Sequence, residues 1–253
     1  MKISLVIPTY KKRNIVLDQL ERLYGYLSRV NPDFELIFVI DGYIDDTKEL
    51  LESYIKENKL KNIKVLGYEE NRGKGYAVRY GFKHATGDVV GFTDADRDIL
   101  IKTYDRAIKE IKKEYTDVVI PSKFHRDSNI EMTFGREILS YGLVYFNKLL
   151  LRLPKNVSDI GCGLKLFRKE VSERVFKNLT VDGFAFDSEI INEVNKQGWN
   201  VSVVPLYLAK SRDESTSANL KNAFKMIKDI LRISFKNIYL TPIFLQKELP
   251  DKA

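Results

Sequence analysis

The sequence predicts an α/β fold built on a mostly parallel central sheet, and three observations carry that expectation. Over residues 2–121, short β-rich apolar runs alternate strictly with segments of helical spacing. Several of those runs stop abruptly in acidic or glycine-containing turns, as at Asp41-Gly42 and Asp94-Ala95-Asp96. The chain of 253 residues is long enough for one large domain or two small ones. Strands separated by helices pair in parallel through right-handed crossovers.

Each element has its own signal. Lys2 to Ile7 is a compact strand (Ile3, Leu5, Val6, Ile7) stopped by Pro8, and Ile15 to Leu27 repeats leucine at helical spacing after a polar loop. Phe34 to Ile40 is a second apolar strand. Asp45, Asp46 or Thr47 caps the helix that runs through about Lys56. Ile63 to Tyr68 is a third strand, followed by Asn71-Arg72-Gly73-Lys74-Gly75 and a helix through Val78, Phe82 and Ala85. Val89 to Thr93 is the fourth strand, Ile101 to Lys113 an amphipathic helix and Asp117 to Pro121 the fifth strand. Farther on, Arg136 to Leu153 and Ser188 to Gln197 read as helices, and Val201 to Pro205 as a strand. Asn219 to Leu240 interleaves Leu220, Phe224, Ile227, Ile230, Leu231 and Phe235 with Lys221, Lys225, Lys228, Arg232 and Lys236 at helical spacing, the pattern of an interfacial helix on anionic lipid, although an amphipathic helix packed on the domain has the same pattern. The expected division is an α/β domain over 1–218 and a membrane-associating amphipathic extension over 219–253.

Bulk composition narrows the function. The net charge of +7, from 42 basic and 35 acidic side chains, is a moderate excess. It suits a phosphate-rich ligand or an anionic membrane surface, or simple solubility, and no nucleic-acid partner is expected. Cys162 is the single cysteine, which excludes an internal disulfide and fits a reducing compartment. His84 and His125 are too few for a multi-histidine zinc site. The N-terminus runs into a strand without a signal-peptide pattern, and no run reaches the roughly 18 apolar residues of a spanning helix. The expectation is a cytoplasmic protein, peripheral to the membrane.

The chemistry concentrates at Thr93-Asp94-Ala95-Asp96-Arg97-Asp98, where an apolar strand ends in carboxylates at alternate positions. Ligands of open α/β sheets bind beyond the carboxyl ends of the strands. Hard cations such as Mg²⁺ take one or two carboxylates together with substrate phosphates. Read alone, the same run is equally a solvated loop capping the next helix. The Gly73-Lys74-Gly75 turn opens a helix, where backbone N–H groups favour phosphate, although so short a pattern also fits a plain turn.

Three signals in order and spacing, Val6-Ile7-Pro8-Thr9-Tyr10, Asn71-Arg72-Gly73-Lys74-Gly75 and Thr93-Asp94-Ala95-Asp96, resemble the family 2 glycosyltransferases of the GT-A fold. Ser158-Asp159-Ile160-Gly161-Cys162-Gly163-Leu164-Lys165-Leu166-Phe167 and Phe184-Ala185-Phe186-Asp187-Ser188-Glu189 look like the polyprenyl-phosphate branch, the dolichyl-phosphate glucose and mannose synthases, leaning toward the glucose type. The resemblance covers about residues 2–236. It implies inverting transfer of a hexose from a nucleotide-diphosphate sugar, UDP-glucose in preference to GDP-mannose, to a polyprenyl (dolichyl-type) phosphate at the cytoplasmic membrane face. It also implies a divalent metal, Mg²⁺ or Mn²⁺, held by Asp94, Asp96 and Asp98. Pro8, Tyr10, Asp41, Lys74, Asp94 and Asp187 would bind the nucleotide sugar. Lys123, Arg136, Ser140 and Arg212 would grip the acceptor phosphate, Arg136 and Ser140 sharing one helix face. Asp96, Asp159 and Arg212 would be the catalytic set. A phosphate monoester, with a second pKa near 6, is already a dianion nucleophile and needs no general base, so Asp159 and the pair Asp187 and Glu189 would orient rather than deprotonate. Asp187 equally suits a helix cap.

Two departures mark this chain. Lys11 and Lys12 follow Pro-Thr-Tyr where the family has Asn-Glu, and Ile40-Asp41-Gly42-Tyr43 replaces Asp-Asp-Gly-Ser, leaving Asp41 alone on the nucleotide side. The alternatives are a family 2 transferase with a polysaccharide or soluble acceptor, and a sugar-nucleotide-binding protein without catalysis.

Overall fold

The computed structural model describes residues 1–128, 130, 134–151, 153, 156–157, 159–209 and 220–240, with the backbone alone for 134–141, 143, 220–224 and 236–240. The elements run β1 (Ile3–Thr9), α1 (Val16–Val30), β2 (Phe34–Asp41), α2 (Thr47–Glu57), β3 (Ile63–Tyr68), α3 (Lys74–Phe82), β4 (Val89–Phe92), α4 (Ile101–Ile111) and β5 (Val118–Ser122). They continue through α5 (Phe134–Leu151), β6 (Lys165–Arg168), α6 (Lys169–Phe176), α7 (Phe186–Lys196), β7 (Val201–Pro205) and α8 (Leu220–Leu240). One seven-stranded sheet takes the order β3-β2-β1-β4-β6-β5-β7.

The inner strands are buried runs because helices cover both faces, the edge strands β3 and β7 are only half-buried, and period-two alternation divides the side chains between two cores. Ile3, Leu5 and Ile7 of β1 and Leu36, Phe38 and Ile40 of β2 pack with α1, α2 and α4. Val6, Ile37, Val39 and Phe92 point the other way, onto α3, α6, α7 and the Ile230 and Ile233 turn of α8. The α8 helix therefore has one apolar side sunk in the domain.

The predicted mostly parallel sheet is observed, with one further strand, β6, that the sequence pattern does not mark. β6 pairs antiparallel with both β4 and β5, Phe92 standing opposite Lys165. Strict alternation implied parallel pairing throughout. The chain instead crosses from β5 through α5 and returns down the gap between β4 and β5. That reversal brings the residues before β6, rather than after it, to the edge where β1, β2 and β4 end.

Candidate active site

Because β1, β2, β3 and β4 are parallel, their carboxyl ends share one edge of the sheet. The start of β6, the end of β5 and the start of α7 reach that same edge. A pocket of about 160 Å³ there brings together Asp94, Asp96, Asp98, Lys123 and Asp159, with Gly161, Cys162 and Gly163 as one wall and Ile99, Leu206 and Leu208 as apolar surface.

The acidic run is held from below by groups the sequence reading did not single out. Buried Gln19 of α1 donates from Nε2 to the Asp94 carbonyl at 3.0 Å, and Arg22 donates to Gln19 Oε1 and to the Arg97 carbonyl. The Thr93 hydroxyl shares a 2.7 Å hydrogen bond with Tyr104 OH. The backbone carbonyl of Asp98 accepts from Ala209 N–H at 2.8 Å, which ties the run to the segment after β7.

The three carboxylates differ in their surroundings. Asp94 Oδ1 lies 2.6 Å from Lys74 Nζ. Burial pulls the Lys74 ammonium toward losing its proton, but Asp94, Asp187 and Asp96 outweigh that and hold its pKa above the usual lysine value. Asp96 is pushed up to about 6, first by burial and then by the neighbouring charges of Asp94 and Asp98, with Lys12 opposing weakly. Crowded, partly desolvated carboxylates of this kind are relieved by a cation. Among the described residues, no three acidic, histidine or cysteine side chains converge closely enough to hold an ion by themselves. Hard carboxylate oxygens still suit Mg²⁺ or Mn²⁺, which complete their shells with water and phosphate.

The Gly73 turn departs from the phosphate-cradle expectation. Four of its backbone donors are spent inside the protein: Arg72 and Gly73 N–H on the Asp41 carboxylate, Gly75 and Tyr76 N–H on the Asp182 carbonyl. Gly73 takes φ +100°, and a Cβ there would meet the Asp182 carbonyl, so glycine alone fits. What the turn brings toward the pocket is the Lys74 side chain, paired with the pocket-lining Asp94. Asp41 also accepts from Asn71 Nδ2 at 2.8 Å and Tyr68 OH at 2.9 Å, so this buried carboxylate organises the turn.

Asp159 is buried and accepts the Lys123 backbone N–H at 2.9 Å, which fixes the chain leaving β5. Asp187 falls inside the first turn of α7, two residues later than a cap would stand, and its Oδ1 meets Lys165 Nζ at 2.5 Å. The cap reading is thereby corrected. Glu189 is likewise not at the reacting centre: its carboxylate accepts from Thr180 and Val181 N–H and from the Thr180 hydroxyl. Pro8 lies within β1, and Tyr10 is exposed just after it beneath Lys11 Nζ, 5.4 Å from the ring centroid. Burial pushes the Cys162 thiol up to about 12, so it stays protonated in the pocket wall. Arg136 and Ser140 lie on α5, with side chains outside the described part, and Arg212 lies outside the described residues.

Lys165 is the group the sequence reading passed over. Its position inside the apolar run Leu164–Phe167 was the available signal, because a lysine on a buried strand needs partners. Gly163 is the second: a Cβ there would overlap the Asp94 carboxylate.

Comparison with known proteins agrees with this architecture. The model of the family "Glycosyl transferase family 2" matches residues 4–176. A dolichyl-phosphate β-glucosyltransferase of Dictyostelium discoideum is 30% identical over 245 residues, covering 92% of this chain and 74% of that protein. The Drosophila melanogaster protein of the same name is 31% identical over 203 residues, 76% of this chain and 62% of its own length. In fold, the chain is similar to mannosyl-3-phosphoglycerate synthase from Rubrobacter xylanophilus (TM-score 0.70, 17% identity, 94% of this chain and 74% of that one). It is also similar to glucosyl-3-phosphoglycerate synthase from Mycobacterium tuberculosis, solved with Mn²⁺, UDP and phosphoglyceric acid (TM-score 0.64, 18% identity, 93% and 78%). An acidic run at the strand edge, a mostly parallel GT-A sheet and these relatives lead to one conclusion: the chain belongs to glycosyl transferase family 2, on its dolichyl-phosphate β-glucosyltransferase branch.

Proposed function

We propose that the protein transfers glucose, with inversion, from a nucleotide-diphosphate donor, UDP-glucose in preference to GDP-mannose, to a polyprenyl phosphate of the dolichyl type. The observation that carries this reading is the convergence of Asp94, Asp96, Asp98, Lys123 and Asp159 on one pocket, with Lys74 bound to Asp94. Mn²⁺ and UDP in the glucosyl-3-phosphoglycerate synthase, and the names of the two curated relatives, support it.

A divalent metal, when bound, would neutralise the donor diphosphate, with Asp96 and Asp98 holding it and Asp94 shared with Lys74. Lys74 adds a fixed positive charge beside the leaving diphosphate, in a partly buried site where such charges act strongly. Asp41 holds the Asn71–Gly73 turn that aims Lys74, and Pro8 and Tyr10 border the nucleotide side. Asp187 would act on the donor side from beneath, through its lysine partner. On the acceptor side, Lys123 faces the pocket, its loop anchored by Asp159, and Arg136, Ser140 and Arg212 would complete the phosphate grip. The acceptor dianion attacks without a base, so the chain's contribution is orientation and charge.

Among the described residues no helix is long and apolar enough to cross a membrane. We place the enzyme on the cytoplasmic face, held by α8 and α5. Ile227, Leu231 and Phe235 form an exposed apolar stripe on α8, with exposed Lys225, Lys228 and Arg232 beside it. Ser234, next to that stripe, donates to the Leu150 carbonyl of α5, whose Tyr145 and Leu149 are also exposed.

The test is a radiolabelled transfer assay with polyprenyl phosphate, Mn²⁺ or Mg²⁺, and UDP-glucose and GDP-mannose in parallel. Label passing into the organic phase, and lost in Asp96→Ala, is the expected result. Transfer to a soluble acceptor instead, or donor binding with no transfer at all, would replace this reading by one of its alternatives.

A further inference from the structure

A lysine without solvent exposure sits directly behind the pocket. Lys165 Nζ donates to the Ile160 carbonyl at 2.9 Å, the Cys162 carbonyl at 2.9 Å and Asp187 Oδ1 at 2.5 Å. An ammonium has three donors, and all three are used within the protein, so none is left for a ligand. Burying such a pair carries a large desolvation cost, and apolar replacements of equal volume are often no less stable. Stability alone is thus a weak account of a buried ion pair at this place.

Its partners lead to one atom group from two sides. Cys162 precedes Gly163, against which the Asp94 carboxylate packs so tightly that a Cβ would overlap it. Asp187, on the other side, lies close enough to Lys74 to help hold its charge, and Lys74 holds Asp94. The Phe92 ring lies between the two lysines, its centroid 5.8 Å from Lys74 Nζ and 5.3 Å from Lys165 Nζ. Asp94, Lys74, Asp187 and Lys165 thus form an alternating row of charges on an aromatic floor.

We infer that Lys165 is a positioning residue for the diphosphate end of the pocket, acting through Asp94 by way of the Ile160–Gly163 loop and the neighbouring Asp187 and Lys74, without touching the ligand. The inference rests on the donor reading above. It also assigns Asp187 to support rather than to sugar contact.

The experiment is calorimetric binding of Mn²⁺ with UDP, and of Mn²⁺ with GDP, to the full chain, in a double-mutant cycle. Lys165→Met with Asp187→Leu removes the pair without leaving a lone buried charge, and Asp94→Asn removes the carboxylate through which the pair acts. UDP lacks the transferred hexose, so a hexose contact of Asp187 does not enter the measurement. In the Asp94 background the pair replacement should weaken binding by about tenfold or more, and in the Asp94→Asn background by less than about threefold, because linked residues are not additive. An equal factor in both backgrounds overturns the inference and leaves the donor reading standing. Absence of binding by the unmodified chain with either nucleotide overturns both. Should the double replacement not fold, Asp187→Asn enters the same cycle, with a smaller non-additivity expected and additivity as the refuting result.

Discussion

Lys74 Nζ lies 2.6 Å from Asp94 Oδ1, whereas Asp96, two residues on, is flanked by the like charges of Asp94 and Asp98. One carboxylate of the run is neutralised within the protein, and the other is left under repulsion. That asymmetry makes Asp96 the group with the most to gain from a cation.

Asp96→Ala should therefore abolish transfer while sparing the fold. We expect a loss of roughly 100-fold or more in turnover, the scale seen when a preorganised charge contact is removed. The melting temperature should not fall, because the lost carboxylate is one that the folded state disfavours. A thermal melt beside the transfer assay checks both halves.

The same group sets a pH dependence. Asp96 is raised from 3.8 to about 6, so between those values the native protein keeps a proton that the unfolded chain has released. Its contribution to stability is present at low pH and is lost as pH rises through about 6. Metal binding needs the ionised form and runs in the opposite sense, strengthening as pH rises through about 6. Mn²⁺ titrations between pH 5 and 8, with Asp96→Asn as control, should show this slope and its removal.

Glu35, at the opposite edge of the sheet, gives an independent acid limb. Burial raises the pKa of this 3% exposed carboxyl, but Lys64 at 2.8 Å, the Ser4 hydroxyl and the Thr86 N–H and hydroxyl outweigh it and lower it from 4.5 to about 2. The folded pKa is depressed, so the stabilisation is full above pH 4.5 and is lost as pH falls toward 2. It amounts to about 3 kcal/mol at most, less where the partly exposed Lys64 is screened. Urea melts of Glu35→Gln should show lower stability at pH 7 and a flatter decline in acid.

Gly163→Ala should act as a steric probe of Asp94. The new Cβ overlaps that carboxylate and must displace it. We expect Mn²⁺–UDP affinity to fall by about tenfold or more, as for other small misplacements of a binding group. Gly161→Ala, where nothing lies within 4 Å of the added Cβ, is the matched control and should bind within about twofold of the unmodified chain.

Replacing Leu231 and Phe235 by serine should weaken partitioning onto anionic lipid vesicles by about tenfold or more, since each buried apolar side chain contributes about 1.5–3 kcal/mol. Raised salt should weaken the remaining binding through Lys225, Lys228 and Arg232. Unchanged sedimentation with vesicles would remove α8 from the membrane reading.

Most of the frame was legible because its signals are local. Ile63–Tyr68 and Val201–Pro205 appear as strands with the expected ends, each bounded by turn residues. β6 escaped because it is four residues long, includes a lysine and runs against the alternation that the other strands obey. The acidic run was visible as residue types in a row. Its supports were not, since Gln19, Gly163 and Lys165 reach it only through the packing of α1 and the reversed strand. Asp187 shows the same limit: its place beside a helix start was legible, but its lysine partner is 22 residues away.

The shared edge has a counterpart. The pocket-lining segments gather at one rim of the sheet, and none of the pocket residues lies at the opposite rim. Asn58 to Asn62, the turn that enters β3 from that rim, is largely exposed and carries Lys59 and Asn62 at positive φ. A tether, fluorophore or fusion partner attached there sits at the opposite end of the strands from the pocket. The enzyme thus comes with a built-in handle by which it can be immobilised while its working side stays free.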